Sequence, residues 1–122
     1  MRLVHEHDGV TRTLATRVEV AESRVAQARG LMFRRSVPDQ YALVFPFDGV
    51  GSRSLHMVFV PFSIDAVWLD GAEVTKVERL RAWTGLGWGR ADCVVEWPPG
   101  AAADVAVGDR IRIVEDRVDG DN

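Results

Sequence analysis

The chain has 122 residues, of which 47% are hydrophobic and 27% charged, with a formal net charge of −3 and one cysteine. This composition is typical of a folded globular domain and excludes a disordered chain, a disulfide framework and a multi-cysteine zinc site. The charge does not indicate a nucleic acid or a membrane as partner, and no apolar run could span a bilayer. Since no signal-peptide core is visible either, we expect one cytoplasmic domain over residues 1–122, with a frayed tail over 117–122.

Short apolar or alternating segments dominate the chain and predict about seven short strands. Two tight turns, at His7-Asp8-Gly9 and at Asp70-Gly71, predict hairpins. A segment rich in glycine and tryptophan, residues 81–90, is expected to be a loop. The segments that favour strands are residues 3–6, 11–20, 41–47, 55–60, 64–69, 73–80, 93–97 and 110–114.

One segment has a helical period instead. Ser23 is a favourable N-cap, and the apolar residues after it recur at helical spacing, which predicts one main helix between Ser23 and Arg35. We therefore expect a mainly β (α+β) fold, a small antiparallel β-barrel or curled sheet with this helix at one open end. The apolar centres of the elements are expected to form one core of Met32, Val44, Phe45, Met57, Val67 and Val95.

Four blocks follow one another along the chain: AESRVAQARGLMFRR (21–35), ALVFPF (42–47), HMVFVPFSIDAVWLDG (56–71) and VVEWPPGAA…VGDRI (94–111). Together they resemble the domain of unknown function 192 family, most specifically in Gly30-Leu31-Met32-x-Arg34 and Pro61-x-x-Ile64-Asp65. The resemblance covers residues 19–114. It implies a β-rich single domain with one helix, and it implies no established activity.

The chain departs from the family pattern in one block. The family has a Trp-Met-Lys-Asn-Thr segment where this chain has His56-Met57-Val58-Phe59-Val60, so only Met57 is retained. Whatever the lost polar residues bind or process in the family, this chain keeps little of that apparatus. His56 is the polar group that remains, and it either bonds to backbone in a partly buried position or lines a pocket.

Two carboxylates interrupt apolar strands and match acidic positions of the family pattern, namely Asp65 and Glu96. Each either takes part in acid–base chemistry or serves the fold, by capping a loop, pairing with arginine or facing outward. We favour the structural role, because ion pairs are commoner than catalytic dyads. Arg34 is the expected partner of Asp65, at the junction of helix and sheet.

Other chemistry-bearing residues have simpler interpretations. His5 and His7 share one face of a strand at a spacing that can chelate a metal, but we expect both to be solvated surface residues. Cys93, beside valines, is expected to be a small buried hydrophobe rather than a nucleophile. The arginines around Phe33 are compatible with an RNA contact, and we favour a solvated helix end there.

These observations favour a binding module without catalytic activity, for an unknown small molecule or protein. Its expected ligand-binding residues are Arg34, His56, Met57 and Asp65, with no cofactor and no metal. We expect a monomer or weak dimer that binds neither nucleic acid nor membrane. The alternative is a small hydrolase or isomerase that uses Asp65 or Glu96 with His56, although the loss of polar donors around Met57 speaks against it.

Overall fold

The fold is mainly β, as expected: a computed structural model shows one open sheet of eight strands and, within the described residues, one short helix. The structure describes residues 1–115, apart from the side chains at positions 24, 25 and 28, so the tail expected over 117–122 lies outside it. The elements are β1 (Arg2–His7), β2 (Val10–Ala15), β3 (Arg17–Val20), α1 (Arg24–Arg29), β4 (Tyr41–His56), β5 (Ile64–Asp70), β6 (Glu73–Leu80), β7 (Leu86–Trp97) and β8 (Arg110–Val114).

The strands lie in the order β2-β1-β8-β6-β5-β7-β4-β3, so β2 and β3 form the two edges. The expectation of a closed barrel is therefore wrong, and so is the expectation of one strand over residues 11–20. The chain changes partner at Thr16, because the N–H groups of Thr16 and Arg17 both donate to the carbonyl of Gln40, at 2.9 and 2.8 Å. Beyond this point β3 runs parallel to β4, whereas β2 pairs antiparallel with β1.

Apolar side chains cover both faces of the sheet, so the single expected core is in fact two clusters. Alternation along the strands puts Phe45 on one face and its neighbour Val44 on the other. We call the first the helix face, since Leu31 and the partly buried Met32, from the chain after α1, pack there together with Met57. The opposite face, here the far face, holds Val44, Val67, Val95 and Trp97.

The helix is shorter than expected and ends at Arg29. Its start is as predicted: Ser23 is the N-cap, and its hydroxyl accepts a hydrogen bond of 3.0 Å from the Ala26 N–H. Gly30 then has a φ of 49°, a left-handed conformation that no α-helix continues through. Residues 30–33 form turns. Nowhere in residues 1–115 is there a helix long and apolar enough to cross a membrane.

The glycine-rich segment expected to be a loop over residues 81–90 is one only over residues 81–85, since residues 86–90 begin β7. Close packing explains its glycines, because a Cβ atom added at Gly87 or Gly89 would lie 2.9 or 3.0 Å from the ring of Trp68. Trp68 is fully buried, and its indole N–H donates to the carbonyl of Arg53 at 2.9 Å. The two glycines therefore give a large side chain room on the helix face.

Candidate functional site

Glu96 is a buried carboxyl group on the helix face. It lies on β7 between Leu43 of β4 and Ala66 of β5, and it is only 5% exposed. Among the residues that the structure describes, its Oε1 atom has no hydrogen-bond partner. Burial raises the pKa of Glu96 to about 7, because the apolar surroundings disfavour the charged form.

This carboxyl group lines a cavity of about 150 Å³ between the end of α1 and the sheet. Gly30 forms part of the wall, and a Cβ atom there would lie 3.4 Å from Phe45 Cζ and 3.7 Å from Glu96 Oε1. These are ordinary van der Waals distances, so the φ of 49° rather than lack of space favours glycine at this position. The other walls include Leu31 and Val60, so the cavity combines apolar surface with a few polar groups.

Two of those polar groups have a defined orientation. Gln27 Nε2 donates to the carbonyls of Ala21 and Pro46, at 3.0 and 2.8 Å, which leaves its Oε1 as an acceptor. His56 Nδ1 accepts a hydrogen bond of 3.3 Å from the Val58 N–H, so its Nε2 carries the ring proton in the neutral tautomer. His56 is exposed, and it therefore places a donor at the edge of the cavity.

Arg34 lies beside a neighbouring cavity of about 610 Å³. Its guanidinium donates to both carboxylate oxygens of Glu19 at 3.4 Å and lies 5.3 Å from the centre of the Tyr41 ring. Tyr41 belongs to the helix-face cluster. Arg34 is thus held on the helix face by Glu19, a partner that the sequence did not indicate.

Asp65 lies on the other face, and the expected Arg34–Asp65 pair is wrong. The carboxylate of Asp65 accepts a hydrogen bond of 2.8 Å from Arg79 Nε. It also accepts hydrogen bonds of 3.0 Å from the backbone N–H groups of Gly100 and Ala102. Its neighbour Ala66 packs on the helix face, so alternation directs Asp65 to the far face. The carboxylate therefore anchors the turn after β7 to the sheet.

Of the four residues expected to bind a ligand, the structure brings only His56 to the cavity of Glu96. Met57 is 1% exposed and belongs to the helix-face core. Sequence reasoning gave Glu96 either a structural role, which it favoured, or acid–base chemistry, and it missed Gln27. No sequence signal identified Gln27, because its role depends on carbonyls that come from two other parts of the chain.

A second polar cluster lies around Asp109, and here the expectation of a solvated histidine is wrong for His5, whereas His7 is half exposed. His5 is 1% exposed and contacts Asp109 Oδ2 through Nε2 at 2.7 Å, while His7 Nδ1 contacts Asp109 Oδ1 at 2.5 Å. Burial opposes ionisation of Asp109, but the hydrogen bonds from the histidines outweigh it and lower its pKa. Asp109 lies in the VGDRI end of the fourth block that resembles the family, and this position was the signal that the sequence offered for the cluster.

Metal and nucleophile chemistry have less support. Within residues 1–115 no group of three or more histidine, cysteine or acidic side chains could hold a metal ion. Cys93 is partly buried, and its burial raises the pKa of the thiol to about 12. The thiol is therefore protonated at neutral pH, as a small hydrophobe beside valines would be.

The sequence matches one family model and several curated proteins. Residues 4–113 match the model of the DUF192 family, described as Uncharacterized ACR, COG1430. A UPF0127 protein of Thermococcus sibiricus is 36% identical over 101 residues, and one of Thermococcus gammatolerans is 32% identical over 100 residues. These matches cover 78% and 77% of this chain but only 64% of the length of either relative.

Two solved structures have the same fold. A protein of unknown function from Novosphingobium aromaticivorans superposes with a TM-score of 0.80, over 92% of this chain and 84% of that one. A candidate transcription regulator from Sinorhizobium meliloti superposes with a TM-score of 0.79, over 91% of each chain. Both are 20% identical to this chain, so the likeness concerns the fold alone.

Proposed function

The chain belongs to the DUF192 family, and we propose that it is a binding module that holds a small molecule against Glu96. One observation carries this proposal: Glu96 Oε1 is buried in the wall of a cavity and has no partner among the described residues. A buried oxygen without a hydrogen bond is unfavourable by about 1–3 kcal/mol, and by more when it is charged. A ligand that donates to this oxygen removes that penalty.

The polar groups of the cavity indicate the chemistry of the ligand. Glu96 Oε1 and Gln27 Oε1 are both acceptors, so a complementary ligand carries at least one N–H or O–H donor, such as an amine, an amide or a hydroxyl group. Arg29 and His56 also line the cavity and offer donors to an acceptor on the same ligand. Apolar walls from Leu31, Phe45 and Val60 suit a small apolar body beside the donor. The volume of about 150 Å³ restricts this body to a handful of heavy atoms.

Binding to the ionised carboxylate has a consequence for pH. A donor that bonds to the ionised form of Glu96 lowers its pKa, which burial alone places at about 7. Affinity for a neutral donor or a permanent cation should therefore increase as the pH rises through 7.

A second candidate function is general acid–base catalysis by Glu96 together with His56. It is favoured by one observation, namely that a carboxyl group with a pKa of about 7 and an exposed imidazole line the same cavity. A pKa near the working pH is what such catalysis needs. Asp65 takes no part in this candidate, since its oxygens bond to Arg79 and to backbone on the far face.

A thermal-shift screen at pH 8 with small amines, amides, alcohols and carboxylic acids tests the proposal, because a ligand of the folded state raises the melting temperature. We expect compounds with donors to stabilise the wild type and Glu73→Met, which replaces an exposed carboxylate, but not Glu96→Met, which removes the acceptor. Equal shifts in all three proteins would contradict it. Chemical change of a stabilising compound during incubation would favour the catalytic candidate.

A further inference from the structure

Three loops meet beside the cavity and present aromatic side chains to solvent. Their backbones are joined, because the Phe33 N–H donates to the carbonyl of Phe59 at 2.8 Å and the Trp83 N–H donates to the carbonyl of Val60 at 3.0 Å. Phe33, Phe59 and Trp83 are 64%, 49% and 57% exposed, and Val58 between them in the same loops is 47% exposed. We call these four residues the aromatic face.

The backbone holds these rings in an unfavourable conformation. Phe33, Phe59 and Trp83 have φ angles of 69°, 61° and 67°, a region that bulky side chains rarely adopt. The rings of Phe33 and Phe59 also stack, with centroids 4.9 Å apart and planes 21° from parallel. Exposure of three aromatic residues on strained, mutually bonded loops is typical of a functional surface rather than of loose chain.

The same three loops are basic. Residues 29–35, 56–63 and 81–85 contain four arginines and no aspartate or glutamate, in a chain whose net charge is −3. Arg34 is engaged by Glu19, but Arg29, Arg35 and Arg81 are exposed and make no ion pair with any residue that the structure describes. Unpaired positive charge therefore lies in the same loops as the exposed rings.

We propose that the aromatic face docks on an anionic phospholipid surface. Aromatic and aliphatic side chains partition into the interfacial region of a bilayer, while arginines attract anionic headgroups. The expectation of no membrane partner averaged the charge over the whole chain, whereas these arginines belong to three loops that backbone hydrogen bonds join. A single-stranded nucleic acid fits less well, because the Phe33–Phe59 stack covers one side of each ring and Val58 offers no surface for base stacking.

Tryptophan fluorescence with vesicles tests the proposal on the full chain. Trp68 and Trp97 are buried and Trp88 is exposed outside the aromatic face, so Trp83 is the one exposed tryptophan in a Trp88→Phe variant. We expect its emission to shift to shorter wavelength with phosphatidylcholine vesicles that contain about 25% phosphatidylglycerol, and not with phosphatidylcholine alone. Sedimentation of the protein with the anionic vesicles should show the same difference and should weaken with added salt.

Matched variants locate the surface. We expect the amount of protein that sediments with anionic vesicles to fall about tenfold or more in Trp83→Ala, and likewise in the double variant Arg35→Glu/Arg81→Glu. The control variants Trp88→Ala and Arg90→Glu should sediment as the wild type does. Circular dichroism verifies that each variant is folded. If Trp83→Ala is unfolded, the double variant of Arg35 and Arg81 tests the proposal instead. Absence of vesicle binding, equal losses in the control variants, or binding of a labelled single-stranded RNA in place of vesicles would overturn the proposal.

Discussion

His5 donates a hydrogen bond of 2.7 Å from Nε2 to Asp109 Oδ2, and this contact joins β1 to the turn before β8. The direction follows from the other ring nitrogen, since His5 Nδ1 accepts from Arg12 at 3.4 Å. The same aspartate oxygen accepts from the Ala106 N–H at 2.9 Å. Asp109 thus connects two ends of the matched family region through groups that are almost fully buried.

We predict that Asp109→Ala lowers the free energy of unfolding by about 1–3 kcal/mol, because it leaves buried donors without an acceptor. The control is Asp104→Ala, which removes an exposed pair with Arg12 and should change stability by less than about 1 kcal/mol. Urea titrations measure both variants. Equal effects of the two substitutions would show that the cluster around Asp109 adds nothing specific.

The effect of Asp109→Ala should depend on pH. The lowered pKa of Asp109 means that its contribution is present above the ordinary value of 3.8 and is lost as pH falls below it. The raised pKa of His7 means that its contribution is present below the ordinary value of 6.5 and is lost as pH rises through the folded-state pKa. The difference between wild type and variant should therefore be largest between these values, and a flat profile would contradict this.

Removal of Asp65 should destabilise the fold far more than removal of Arg34. Asp65→Ala leaves two backbone N–H groups without their acceptor, at an expected cost of about 1–3 kcal/mol each, and it also unpairs Arg79, which is exposed and can be solvated. Arg34→Met removes a partly exposed pair and should lower stability by less than about 1 kcal/mol. Since the two residues lie on opposite faces, the double variant should be additive within about 0.5 kcal/mol. A larger coupling energy would restore the pair that the structure excludes.

Gly89→Ala should destabilise the helix face. The added Cβ atom would lie 3.0 Å from two atoms of the buried Trp68 ring, and overpacking of this kind lowers stability by about 1–3 kcal/mol. Gly51→Ala is the control, because its Cβ atom would meet only the flexible guanidinium of Arg53, at 3.3 Å or more. Thermal unfolding and Trp68 emission measure the result. If Gly89→Ala loses no more stability than Gly51→Ala, the Trp68 ring can shift to accommodate the added Cβ atom at little cost.

The sequence predicted local structure better than pairing. Period-two alternation, the turns at Asp8-Gly9 and Asp70-Gly71 and the Ser23 cap all depend on neighbouring residues, and the structure contains each of them. The division of residues 11–20 between two edges of the sheet depends on the carbonyl of Gln40, which is distant in sequence. Propensity along the chain carries no information on such a contact.

The candidate site illustrates the same limit. Asp65 and Glu96 both interrupt apolar strands, and alternation gives each a face only relative to its own neighbours. Strand pairing places Glu96 on the helix face beneath Gly30 and places Asp65 on the far face. Asp65 therefore accepts hydrogen bonds from backbone N–H groups, whereas Glu96 Oε1 has no partner among the described residues, although the two carboxylates have similar neighbours in sequence.

Glu96→Gln should stabilise the protein at alkaline pH. The folded-state pKa of about 7 exceeds the ordinary value of 4.5, so the folded chain binds the proton more tightly and stability falls as pH rises from about 4.5 through 7. Glutamine removes this penalty, and the variant should gain roughly 1–3 kcal/mol over wild type at pH 8 and little at pH 4. Urea titrations at both pH values measure the gain, with Glu73→Gln as the control. A variant that is less stable at pH 8 would indicate a hidden partner for the carboxylate.

A titration of the Glu96 side-chain carboxyl by NMR, in protein with ¹³C-labelled glutamate, measures the property on which the proposed binding role depends. The Glu96 resonance is assigned by its absence from the spectrum of Glu96→Gln. We expect a midpoint near pH 7, in accord with a buried carboxyl group without a partner. A midpoint near the ordinary value of 4.5 would show that water or a protein donor already satisfies Glu96, and the carboxyl group would then offer no unsatisfied acceptor to a ligand.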